Sequence, residues 1–207
     1  MEKYQLINIS NEAVLSIVSA INKRLKGRNS PLVVSLDGGS GAGKSTLAAE
    51  AASHLGATVI QCDDFFAATI TDDEWDTYTP EQKCRRCIDL QRMRTEALLP
   101  LIAGKNAQYY PFSFLSWNGL SSYLVTKEPA KVIILDGIYS SLPELSDVVD
   151  YKVLVDVLPD VRRHRHNLRE GNDDVAWHLR WDSAEDYYFS VLCPPTSFDL
   201  IVVNEYS

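Results

Sequence analysis

Residues 32–46, LVVSLDGGSGAGKST, run an unbroken apolar stretch into a glycine-rich turn that closes on a lysine and two hydroxyls. A β-branched run with no polar alternation suits a central parallel strand buried on both faces. The glycines let backbone N–H groups turn inward, and the apolar spacing after them predicts a helix over residues 45–55. Gly38, Gly43, Lys44 and Ser45 satisfy G-x-x-x-x-G-K-[ST] between that strand and that helix, which is the context the motif needs. Inward amides and the positive end of a helix make an anion cradle. The candidate nucleotide-binding set is therefore Gly38, Gly39, Ser40, Gly41, Ala42, Gly43 and Lys44, with Ser45 and Thr46 opening the helix. Lys44 brings a mobile charge to the β- and γ-phosphates of a nucleoside triphosphate, which makes it a candidate catalytic cation. The Ser45 hydroxyl is a candidate ligand for Mg²⁺, an ion that keeps waters for its remaining positions.

The rest of the chain repeats the alternation of strand and helix. Apolar residues from Val14 to Leu25 recur at helical spacing over residues 12–25, with Ser10 or Asn11 as cap and Gly27 as stop. ATVIQC, KVIILDG, YKVLVDV and FDLIVVN read as further strands, and Pro80 as the start of a long helix reaching residue 103. The segment YYPFSFLSWNGLSS is aromatic and rich in turn formers, so it reads as irregular or as a short ribbon. A polar helical region, broken at Gly171, lies between the last two strands. Buried strands separated by helices predict an α/β fold, a parallel sheet with helices on both faces. In such sheets ligands meet the carboxyl ends of the strands. Asp63 and Asp64 after ATVIQC, and Asp136 after KVIIL, therefore face the same crevice as the glycine loop. Asp136 is the second candidate ligand for Mg²⁺.

Composition narrows the partners. At 207 residues and 45% hydrophobic content, with no linker or repeat, the chain reads as one domain over 1–207. A net charge of −8 argues against nucleic acid, which needs a basic face, but leaves room for one basic pocket. No apolar run approaches the roughly 18 residues of a membrane span, and the first twenty residues lack a basic region ahead of an apolar one. The expectation is a cytoplasmic protein, with a homo-oligomer left open. Cys84 and Cys87 form a lone C-x-x-C with no second pair, so the four cysteines read as ordinary reduced thiols. His164 and His166, as H-x-H on a helix, point to different faces and are unsuited to sharing a metal.

Phosphoryl transfer needs a base for the acceptor hydroxyl and cations for the migrating group. Asp63 or Asp64 can supply the first. Arg162, Arg165 and Arg169, spaced i, i+3 and i+7, put three guanidiniums along one helix face and can supply the second. GGSGAGKST, CDDFF, YYPF, LDGIYSS and VRRHRHNLRE, in that order, resemble the uridine kinase family of P-loop kinases over most of the chain from Leu32 onward. The resemblance implies a three-layer αβα fold with a five-stranded parallel sheet ordered 2-3-1-4-5, and ATP as donor. It implies Asp63 as general base, the first position of D-x-F-[FY], with Asp64 as second choice. It also implies a small helical lid at approximately 160–180, where Arg165 and Arg169 meet nucleotide and Arg169 assists transfer, and an acceptor-binding insert at approximately 66–125. Acceptor-site candidates are Asp63, Asp76 or Asp89, Tyr110, Phe112 and Arg162. Tyr109, Tyr110, Phe112, Phe114 and Trp117 either stack on an acceptor ring or form a satellite core.

Two departures bear on the acceptor. No histidine follows Tyr110-Pro111-Phe112, where pyrimidine-nucleoside kinases of the family carry one, and Asp136 stands where the family has glutamate. The reading is thus a kinase for a small hydroxylated molecule, of which a uridine- or cytidine-like nucleoside is the first choice. A sugar, a pantothenate-like compound or an antibiotic is the alternative acceptor, and a nucleotide-binding switch without an acceptor is the rival class.

Overall fold

In the computed structural model, which describes residues 9–204, the apolar runs form β1 (Leu32–Asp37), β2 (Thr58–Gln61), β5 (Val132–Asp136), β6 (Tyr151–Asp156) and β7 (Leu200–Val203). A short ribbon of β3 (Ala107–Tyr109) and β4 (Val125–Lys127) stands apart from them and is antiparallel. The five strands make one parallel sheet in the order β2-β5-β1-β6-β7. Counted among the sheet strands alone, that is the expected 2-3-1-4-5. β1 lies in the middle, and all six of its residues are buried.

The two faces of β1 are sorted by alternation. Leu32, Val34 and Leu36 pack with Val14, Ile17 and Ile21 of α1 (Ile9–Leu25) and with Leu47, Ala48 and Ala51 of α2 (Lys44–Leu55). Val33 faces the opposite layer, with Ile133, Leu135, Met93, Leu98 and Tyr188. Burying one such side chain contributes about 1.5–3 kcal/mol, so the strand that carries the glycine loop sits on a platform fixed from both sides. Helix α1 starts at Ile9, earlier than residue 12; its expected cap, Ser10 or Asn11, falls on side chains outside the described residues.

The long helix expected from Pro80 to residue 103 is two. After α3 (Asp72–Thr77), α4 (Pro80–Arg86) opens with a capping box between Thr79 and Gln82 and then stops. Ile88 leaves the helix to bridge Phe66, the Cys87 carbonyl accepts from Ala67 N–H at 2.9 Å, and the Phe65 carbonyl accepts from Asp89 N–H at 2.8 Å. Tertiary pairing with the chain after β2 outweighs local helical preference there. Asp89 then caps α5 (Leu90–Met93), which runs through a π-helical stretch at Arg94–Leu98 into α6 (Leu99–Ile102). The π stretch fits Pro100, which has no N–H to give to a helical partner. α7 (Pro159–Glu170) ends at Gly171 in the left-handed region, and α8 (Val175–Tyr187) returns across the sheet. Among the described residues no helix is long and apolar enough to cross a membrane.

Candidate nucleotide and acceptor site

The glycine loop joins the end of β1 to α2, whose N-cap is Gly43 with φ of 82°. Lys44 lies along the loop and donates from Nζ to the Gly39 carbonyl at 2.9 Å. α7 crosses the loop closely. A Cβ on Gly41, itself at φ +77°, would sit 2.2 Å from the Arg162 carbonyl oxygen, so both backbone conformation and space require glycine there. Asn204, just past β7, donates to the Ala42 carbonyl at 2.8 Å and fixes the far side of the loop.

Register brings the acids to this end. Asp136 pairs across with both Leu36 and Gln61, so it lies between the end of β1 and the end of β2. It is buried, and its Oδ1 has no hydrogen-bond partner. Burial pushes its carboxyl above the ordinary value, while the Ser45 hydroxyl and the Lys44 charge pull it down and Asp63 pushes it up. A buried orphan carboxylate oxygen beside a serine hydroxyl is a donor set that fits a hard divalent cation such as Mg²⁺. Ser45 and Asp136 are the residues that would hold it.

The two aspartates after β2 have different surroundings. Asp64 accepts from the Tyr109 hydroxyl at 3.0 Å, and its backbone carbonyl accepts from Phe112 N–H at 2.8 Å and from Arg92. Burial raises the Asp64 carboxyl, partly offset by Tyr109. It ties the β3–β4 ribbon to the sheet. Asp63 is exposed, and among the described residues no side chain donates to its carboxylate. It sits in the 3₁₀ turn Cys62–Phe65, which leads from the crevice into a neighbouring cleft of about 480 Å³.

That cleft is lined by Phe66, Ile88, Asp89, Arg92, Asn118 and Leu120 among others. The rival acids separate here: Asp89 lies in the cleft wall, whereas Asp76 is held by Arg180 through bonds of 2.7 and 3.1 Å. The Arg180 guanidinium holds the Asp76 carboxyl below its ordinary value. The aromatic segment divides as well. Phe112 packs against Phe66 and Phe114 with ring centroids 4.9 and 4.5 Å away, and Tyr109 is buried. Tyr110 is half exposed, and Trp117 is almost fully exposed.

Arg162, Arg165 and Arg169 of α7 also take different positions. Arg162 lies over the loop, paired with Glu185 and donating to the Val157 carbonyl at 3.2 Å. Arg165 donates to the Asn204 carbonyl at 3.2 Å. Arg169 is exposed, bonded to Glu170 at 2.9 Å and 3.3 Å from His166 Nδ1. His166 is buried against Trp177, with its Nδ1 3.1 Å from the Ser40 hydroxyl, while His164 on the next face is exposed. Burial, then Arg169, lowers the His166 pKa and favours the neutral ring. No group of three His, Cys, Asp or Glu among the described residues could hold a metal ion, and all four cysteines are free and buried.

Asp37 and Glu185 belong to this site and went unrecognised in the sequence. Asp37, fully buried at the end of β1, accepts from Gly38 N–H at 2.8 Å, from Ser141 N–H at 2.9 Å and from the Tyr188 hydroxyl at 2.6 Å. Desolvation raises its carboxyl, and those donors and Lys44 oppose the rise. The one signal was an acid closing an otherwise apolar strand. Asp37→Asn is expected to destabilise the fold by about 1–3 kcal/mol, because whichever way the amide turns, one buried N–H loses its acceptor. Chemical denaturation monitored by circular dichroism measures this, and an unchanged midpoint and slope would count against the network.

Comparison with known proteins follows the same lines. The chain is 26% identical over 178 residues to a uridine kinase of Saccharomyces cerevisiae, covering 77% of this chain and 35% of the yeast protein. It is 29% identical over 173 residues to a uridine kinase of Chlamydia pneumoniae, covering 79% of this chain and 73% of that one. Its fold matches a possible uridine kinase from Bacillus stearothermophilus with a TM-score of 0.71, 18% identity, and coverage of 92% and 97% of the two chains. In sequence and fold the chain is similar to uridine kinase-like P-loop kinases. A putative fructose transport system kinase from Silicibacter matches almost as well, with a TM-score of 0.67, 20% identity, and coverage of 91% and 98%, so the shared fold leaves the acceptor open. A family model described as RNA helicase matches residues 34–115, a span that contains the glycine loop but less than half the chain. The chain spans about a third of the length of the yeast relative and of a Dictyostelium discoideum uridine-cytidine kinase.

Proposed function

We propose that this chain is an ATP-dependent phosphotransferase that moves the γ-phosphoryl group of ATP to a hydroxyl of a small molecule. It would work as one kinase domain over 1–207, with a lid near 160–180 and an acceptor-binding insert near 66–125. The observation that carries the reading is the placement of Asp63. Its charge is felt by Asp136 at the phosphate end, and its 3₁₀ turn runs into the cleft walled by Phe66 and Asp89. A base between a phosphate cradle and a second cavity is the arrangement that transfer to an acceptor needs and that a nucleotide switch does not.

In this reading the loop amides from Gly38 to Thr46 and Lys44 bind and orient the triphosphate. Mg²⁺, held by Ser45 and Asp136, supplies neutralisation of the β- and γ-phosphate charge when bound. Asp63 takes the acceptor proton, and Asp89, with Tyr110 and Phe112 from the ribbon segment, orients the acceptor. Arg162, Arg165 and Arg169 face the transferring group when α7 closes, and closure excludes water that would otherwise hydrolyse ATP. The relatives' names support a uridine- or cytidine-like nucleoside as first choice. The missing histidine after Phe112 favours a second reading, another small hydroxylated acceptor such as a sugar.

A panel of nucleosides, sugars and other alcohols, assayed for ADP release and for a phosphorylated product by mass spectrometry, tests both. ADP release stimulated at least tenfold by one acceptor class, with matching product, is the expected result. ATP binding with no acceptor-dependent product anywhere in the panel would favour the switch.

A further inference from the structure

Ser40, in the middle of the phosphate loop, is held through all three of its polar groups by the α7–α8 segment. Its N–H donates to Glu185 Oε2 at 3.0 Å, its carbonyl accepts from Arg162 Nη1 at 3.4 Å, and its hydroxyl lies 3.1 Å from His166 Nδ1. Glu185 is only 9% exposed, and its other oxygen pairs with Arg162. One carboxylate therefore bridges a loop amide and a lid guanidinium. Gly39 records how close that bridge comes. Its backbone is not in the left-handed region, yet a Cβ there would lie 2.4 Å from Glu185 Oε1 and 1.9 Å from Arg162 Nη1. The missing side chain at Gly39 makes room for the pair.

An anionic oxygen on a loop N–H and on an arginine fork is also what a nucleotide phosphate presents. Glu185 and a terminal phosphate are like charges seeking the same donors, and at contact distance in a partly buried site the two repel strongly. We propose that Glu185 is a positioning residue that holds the Ser40 amide and Arg162 in readiness and yields them only to the terminal phosphate of a nucleoside triphosphate. It rests on the reading of the loop as an ATP site. Two consequences follow from the charge. Glu185 weakens binding of a triphosphate more than that of a diphosphate, because only the former reaches Arg162. It also restrains Arg162 from assisting water attack on ATP before an acceptor arrives.

The test is the affinity of the full chain for ATP and for ADP, each with Mg²⁺, measured by isothermal titration for the wild type, Glu185→Gln and Glu185→Asp. Glutamine keeps the shape and an acceptor oxygen for Ser40 but loses the charge. The ratio of the ADP to the ATP dissociation constant is expected to rise on the order of tenfold, the scale of one charge-assisted hydrogen bond, with acceptor-free ATP hydrolysis rising as well. Glu185→Asp keeps the charge on a shorter stem that cannot bridge both partners, and should shift the ratio the same way by less. A merely structural role would lower the melting temperature and affect both nucleotides alike. A ratio unchanged within twofold in folded Glu185→Gln, or in Glu185→Asp if the former does not fold, overturns the proposal and leaves the kinase reading intact. Failure of the wild type to bind ATP at all overturns both.

Discussion

Lys44→Ala should abolish most nucleotide-dependent turnover, by about 10²–10³-fold, the scale seen when one preorganised group that stabilises transition-state charge is removed. The side chain is pinned along the loop by its bond to the Gly39 carbonyl, so its ammonium is placed before any nucleotide arrives and little reorganisation is needed at the moment of transfer. It is also the positive charge that offsets the burial of Asp37 and of Asp136. Its removal should push both carboxyls further up, and thereby weaken the residues that would hold Mg²⁺ as well as those that hold the phosphates. Steady-state turnover at saturating acceptor, together with the MgATP dissociation constant, measures the effect. Activity within a fewfold of wild type would sink the assignment of the loop.

Asp63→Asn should behave differently: ATP binds, and transfer falls by roughly 10²–10⁴-fold, the contribution of a positioned base. Asp63 makes no side-chain hydrogen bond among the described residues, so the amide substitution should leave the melting temperature where it is. Asp64→Asn is the control. That carboxylate accepts from the Tyr109 hydroxyl and anchors the ribbon, so its loss should lower the melting temperature more than it lowers the turnover of the folded fraction. If Asp64→Asn instead removes transfer while leaving stability unchanged, and Asp63→Asn does not, the base has been assigned to the wrong neighbour.

The strands of the sheet and the loop were legible because they depend on local features. A run as apolar as LVVSL suits the middle of a sheet, buried on both faces, and G-x-x-x-x-G-K-S only works between a strand and a helix. The break between α4 and α5 was not legible. Residues 80–103 have helical spacing throughout, and only the pairing of Ile88 with Phe66, distant in sequence, ends the helix early. The rivalry of Asp76 and Asp89 could not be resolved from spacing either. Arg180, more than a hundred residues beyond Asp76, engages one and leaves the other in the cleft wall. Asp37 was in plain view within LVVSLDGG, but an acid at a strand end reads as a turn residue until Tyr188 and Ser141 are found donating to it.

Sequence alone therefore determined the sheet, the phosphate cradle and the pair of aspartates among which a base is sought, because each is written in contiguous residues whose backbone chemistry has few alternatives. Tertiary structure decided which of the two aspartates is tied to the Tyr109 hydroxyl, which acid lines the cleft, and that a carboxylate from α8 lies on the loop between Ser40 and Arg162. These depend on groups far apart in the chain, brought to hydrogen-bonding distance by the packing of α7 and α8 across the carboxyl ends of the strands, and no local pattern encodes such a meeting.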